Sequence, residues 1–113
     1  MSNIDPKYIK NISGKDFILY VGLVAEAHRI GIQSIVTELV KLDKSEHGII
    51  VVFKATVTGK DSQVFTGYGD ATEKNVSKMI LPHMIRMAET RAKARALRDF
   101  TNIDLCSAEE LAE

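Results

Sequence analysis

GIIVVFKATVTG, residues 48 to 59, is the stretch on which the fold turns. Ile49, Val51, Phe53, Ala55 and Val57 alternate onto one face of an extended chain. Ile50, Val52, Lys54, Thr56 and Thr58 take the other face, which becomes polar toward its end. Turn-forming stretches bracket it, DKSEHG before and GKDS after. Beyond the first lies IQSIVTELVKL, rich in β-branched residues. Beyond the second lies QVFTGYGDA, weakened as a strand by Gly67 and Gly69. Such short turns predict three neighbouring strands in an antiparallel meander.

Upstream, Phe17 to Tyr20 reads as a short extended piece, with Gly22 as a break. Leu23, Val24, Ala27 and Ile30 then recur at helical spacing, and Gly31 falls just past the helix end. A single helix from Asp16 to Ile30, capped by Asp16, fits the same residues. Downstream, Thr72 is a candidate N-cap for a short helix or turn. Pro82 opens a long helix running to about Phe100. The expected fold is α+β: a three-stranded meander packed on a long C-terminal helix and preceded by a short N-terminal helix. Residues 1–12 read as a flexible arm, 13–105 as one domain and 106–113 as a loose acidic tail.

The bulk properties suit a single core. The chain has 113 residues, 45% hydrophobic and 27% charged, with zero formal net charge. An anionic partner must therefore be drawn by a local patch. Cys106 is the only cysteine, so an internal disulfide is impossible and a reducing setting is expected. The start of the chain does not read as a signal peptide, and the apolar run from Phe17 to Val24 is too short to span a bilayer. A cytoplasmic protein without a membrane partner is the expectation.

The long helix holds the local patch. From His83 to Phe100 there are five basic and two acidic residues, a net of +3. From Thr101 onward there are four acids and no base, a net of −4. Ile85, Ala88, Ala92 and Ala96 share one stripe, small enough to let the helix backbone approach a sheet. Arg91, Arg95 and Arg98 form a second stripe and Arg86 with Lys93 a third. Arginine forks suit phosphate oxygens. The same charges also serve to keep a helix soluble, and the acidic tail can equally act to neutralise them. Lys54 on the central strand and Tyr68 are secondary candidates, the tyrosine as a platform for a base. His28, His47 and His83 have no second ligand at metal spacing. GYGD lacks the third glycine of a dinucleotide fingerprint, and no nucleophile or acid–base pair stands out. No catalysis, cofactor, metal or small-molecule substrate is expected.

YVGLVAEAHRIG, the three strands, FTGYGDAT and AETRAKARALRDFTN together resemble the core of the Rad52-type single-strand annealing proteins, a group that includes the DdrA-like repair proteins. Tyr20, Gly22 and Gly31, then Gly67 and Gly69, then Arg95, Ala96, Leu97, Arg98 and Phe100 carry the resemblance, with Ala94 where that family has a lysine. It implies a βββα core in an oligomeric ring that binds single-stranded DNA and anneals strands without ATP, in repair or recombination. Two rivals stand beside it. The double-stranded-RNA-binding domain shares the α-β-β-β-α order, although the basic residues here fall in the middle and end of the last helix and no KKxAK-like start is present. In the other, an oligomeric scaffold, the arginines pair with acids of a neighbouring subunit.

Overall fold

A computed structural model of the protein describes residues 4–46, 48–73 and 81–111. Its elements are β1 (Ile9–Ile12), β2 (Lys15–Ile18), α1 (Tyr20–Ile30), β3 (Ile32–Ser45), β4 (Gly48–Gly59), β5 (Val64–Thr72) and α2 (Leu81–Thr101), with 3-10 turns at Pro6–Tyr8 and Ala108–Glu110. β3, β4 and β5 form the expected meander, in the order β3-β4-β5. Both pairings are antiparallel.

The alternation along β4 works as its sequence implies. Val51, Ala55 and Val57 are fully buried beneath α2. On the opposite face, Glu38, Lys54 and Tyr68 form one cross-strand row. The alanine stripe also behaves as expected. Ala88, Ala92 and Ala96 are buried, and α2 rests on β5 so closely that Gly67 and Gly69 have no space for a side chain. GYG is therefore a place where another backbone passes close, and that backbone is the chain's own helix.

α1 ends where the glycine rule places it. Gly31 sits at φ 116° and its N–H donates to the Ala27 carbonyl. A Cβ there would be strained, so Gly31→Ala is expected to lower stability by about 1 kcal/mol, read from urea unfolding. α2 ends in the same manner on Asn102 at φ 58°, with the Ile103 N–H reaching back to the Arg98 carbonyl. The core above the sheet joins Leu23 and Ala27 of α1 to Ala55 and Val57 of β4 and to Ala94 and Leu97 of α2. Both helices thus lie on the same side of the sheet.

Three expectations need correction. Part of the supposed N-terminal arm is a hairpin: β1 pairs with β2 through Ser13 and Gly14, both at positive φ, the backbone a tight two-residue turn requires. Asp16 is on β2 rather than at a helix cap, and Gly22 lies within α1, where a Cβ would fall 2.6 Å from Tyr8 Cβ. Thr72 is the last residue of β5, and the short helix it was expected to cap falls on residues 74–80, outside those described, as does His47. The tail is docked as far as Leu111. Ser107 is fully buried and bridges Ile18, whose N–H donates to the Cys106 carbonyl at 2.9 Å.

Candidate nucleic-acid interface

The seven residues singled out from the sequence separate into three places. Arg91, Arg95 and Arg98 do form one stripe of α2, but it faces the β5 edge and the docked tail. Arg91 is 3% exposed. Its Nε donates to the Glu110 carbonyl at 3.0 Å and its Nη1 to the Asp70 carbonyl at 2.8 Å. Arg95 Nη1 donates to the Tyr68 carbonyl at 2.8 Å, and its Nε meets Glu110 Oε1 at 3.2 Å. Arg98 Nη1 stands 3.9 Å from Glu110 Oε2 and 3.7 Å from Cys106 Sγ. The Glu110 side chain is 5% exposed, so one carboxylate is enclosed by two guanidinium groups.

This corrects the reading of the stripe as an open phosphate track. The Arg91 and Arg95 forks are met by backbone carbonyls and by the Glu110 carboxylate of the same chain, while Arg98 lies at the edge of that cluster, its Nη2 3.5 Å from the Asp104 carbonyl and its Nε buried without a hydrogen-bond partner among the described residues. Burial lowers the Arg91 pKa; Asp70 opposes that shift, Arg95 adds to it, and Glu110 opposes it. An arginine keeps its charge through such a shift, and here the charge anchors tail to strand.

Lys54 and Tyr68 pair across β4 and β5 on the open face of the sheet, away from the helices. Tyr68 is 54% exposed, and no packed core holds it.

Arg86 and Lys93 occupy the third place, a flank of α2 beside α1 and apart from the arginine stripe. Arg86 is exposed and lines a groove with His83, Met87, Thr90 and Glu109. Lys93 lies one heptad along, with Nζ 5.4 Å from the centre of the Tyr20 ring. Burial first, then the charges of Glu89 and Glu109, raise the pKa of Tyr20, so its hydroxyl stays protonated at neutral pH. Glu89 itself is engaged elsewhere, accepting from the Thr37 hydroxyl at 2.7 Å. Farther along α2 the outward side is closed, because Ala94 and Leu97 are covered by the α1 layer.

Two residues that shape this region escaped sequence reasoning. Glu110 holds the arginine stripe. Glu109 accepts the Tyr20 N–H at 2.8 Å and so caps α1, whose own N-cap residue, Leu19, has no side-chain acceptor. The available signal was the acid-rich run directly after a base-rich helix.

A three-stranded antiparallel sheet with α1 before it, α2 after it, and both helices on one side has the α-β-β-β-α layout of double-stranded-RNA-binding modules. A family model described as Slr1353 N-terminal dsRNA-binding domain-like matches residues 28–100, and the chain belongs to that family. No curated protein matches the chain. The family match overturns the resemblance to Rad52-type and DdrA-like proteins, and with it strand annealing, DNA repair and recombination. The motifs behind that resemblance were short, and Gly67, Gly69 and the alanines are accounted for by helix–strand contact. No helix among the described residues is long and apolar enough to cross a membrane.

Proposed function

We propose that this chain is a nucleic-acid-binding module that takes duplex RNA on the outer face of α2. Arg86 and Lys93 would grip phosphates, while Thr90 offers a hydrogen bond to a ribose hydroxyl or a phosphate oxygen. A-form RNA is recognised by shape, through phosphates and 2′-hydroxyls across its shallow groove, and this requires a rigid face more than a code of side chains. α2 supplies such a face, because its opposite side is clamped onto β5. The family description favours RNA over other partners.

One observation carries the proposal: on α2, Arg91 is buried and Arg95 and Arg98, although their side chains stay 41% and 27% exposed, are tied to β5 and the tail, whereas Arg86 is exposed, Lys93 lies half-buried over the Tyr20 ring, and neither meets a carboxylate or a carbonyl among the described residues. Two cations one heptad apart lie about 10 Å apart along the axis, within the span of neighbouring phosphates. With zero net charge on the chain, affinity for a single module is expected to be modest and to fall steeply with salt.

Fluorescence anisotropy with a labelled RNA duplex of about 20 base pairs tests this, beside the same sequence as single-stranded RNA and as duplex DNA. The wild-type chain should bind the RNA duplex most tightly. The double variant Arg86→Ala, Lys93→Ala should weaken that binding by about tenfold and flatten the salt dependence by about two phosphate contacts, with an unchanged circular dichroism spectrum. Lys54→Ala with Tyr68→Ala, on the far face, should leave it unaltered. Equal affinity for all three ligands, or a double variant that binds like wild type, would refute the assignment.

A further inference from the structure

The two edges of the sheet are treated differently. On β5, Arg91 and Arg95 donate to the Asp70 and Tyr68 carbonyls, so side chains of α2 occupy strand positions that a neighbouring chain could otherwise use. On β3 no such guard exists among the described residues. Among the described residues β3 is the longest strand, and only β4 pairs with it. It also exposes apolar side chains: Val36 at 58%, Leu39 at 51%, Val40 at 50% and Leu42 at 40%. A long, open, apolar edge is a template for a further strand.

We propose that β3 pairs antiparallel with β3 of a second copy of this chain, closing a twofold dimer with a continuous six-stranded sheet. The charges on the strand select that occupant. In a twofold contact, whatever residue i meets in its partner, that residue's own copy meets i. A register centred between Leu39 and Val40 sets Glu38 opposite the partner's Lys41, twice. Neither Glu38 nor Lys41 makes an ion pair among the described residues of its own chain.

The side-chain faces agree with this register because of an irregularity in the strand. Without one, a register of this odd offset would set upward-pointing residues against downward-pointing ones. The pairing of β3 with β4 slips by one residue between Leu39 and Lys41, leaving Val40 as the extra residue. Before the slip Val36 and Glu38 lie on the open face of the sheet, opposite Thr56 and Lys54. After it Lys41 and Asp43 do, opposite Val52 and Ile50. Glu38 and Lys41 therefore share a face, as do Thr37 and Leu42 on the helix side, opposite Ala55 and Val51. Leu39 and Val40 of both copies meet at the dyad. Lysine on an edge strand commonly deters pairing. Here the lysine nearest the dyad is matched by an acid of the partner.

Light scattering during gel filtration across a concentration series reads the mass directly. Wild type should approach twice the 12.5 kDa of one chain as concentration rises. Glu38→Lys alone and Lys41→Glu alone should each weaken the dimer by about tenfold, and the two together in one chain should restore it. Restoration excludes misfolding as the cause of the single-variant losses. Register is read by oxidising mixtures in a Cys106→Ser background: a Glu38→Cys chain should cross-link to a Lys41→Cys chain, and neither to itself. A wild-type mass of one chain at every concentration overturns the proposal. So does a dimer indifferent to both single reversals, or one in which Glu38→Cys chains cross-link only to one another.

Discussion

Replacing Gly69 by alanine is expected to destabilise the fold by about 3 kcal/mol, out of a total of about 5–15 kcal/mol for a domain of this kind. A Cβ at this position would lie 2.2 Å from Ala92 N and 2.3 Å from Ala88 O. Those atoms belong to the backbone of α2, so no rotamer change relieves the clash and the helix must lift off the strand. The consequence extends beyond the contact, because the outer face of α2 is held rigid by the seat of its inner face on β5. Gly67→Ala should be milder, since its nearest backbone contact, Ala96 N, lies at 2.6 Å. Adding Ala92→Gly to Gly69→Ala should not rescue stability, because the obstructing atoms are backbone rather than the Ala92 methyl. Thermal unfolding followed by circular dichroism checks all three variants, with Gly69→Ala expected to melt about 10 °C or more below wild type. A melting point within a degree or two of wild type would mean that α2 does not lie on β5 as described.

Arg91→Met is expected to cost about 2–3 kcal/mol while leaving RNA affinity of the folded protein unchanged. Methionine roughly matches the reach of the arginine stem but not its donors. The Asp70 and Glu110 carbonyls, which Arg91 holds at 2.8 and 3.0 Å, would lose their charged partner at a nearly sealed site. The tail should loosen first. Ser107, buried against Ile18, and Glu109, which caps α1, both depend on the seating of Glu110. Arg91→Lys should recover only part of the loss, because an ammonium cannot present a planar fork to two divergent carbonyls. Urea unfolding gives the stability, and anisotropy at low denaturant gives the affinity. A phosphate-gripping arginine predicts the reverse pattern, in which binding falls and stability holds. The pair of measurements therefore separates a strut from a ligand contact.

The difference between those roles was not legible at Arg91, Arg95 and Arg98. Their spacing puts them on one stripe whether that stripe meets phosphate or protein. What decides is the docking of Glu110, brought back onto α2 by a turn after Asn102, together with the carbonyls of Tyr68 and Asp70. The β1–β2 hairpin was missed for a related reason. Its strands are short and polar at their exposed positions, and its stability comes from Ile18 reaching the core and from Tyr8 lying over Gly22. Gly31, by contrast, was readable in place, since a helix that stops at glycine needs only its own backbone to do so. On Arg86 and Lys93 the sequence supplied a shared stripe, and the structure leaves Arg86 exposed and lays Lys93 half-buried over the Tyr20 ring.

Local periodicity was enough to determine the meander, the two helices and the alanine seam. Alternation and helical spacing follow from backbone geometry that each residue carries with it. Which cations are spent inside the molecule, which face of α2 is open, and which sheet edge is guarded were decided only in the tertiary structure. Those properties depend on atoms far apart in the chain arriving within hydrogen-bond distance, and an arginine is the same residue in sequence whether its fork closes on a carbonyl or faces water.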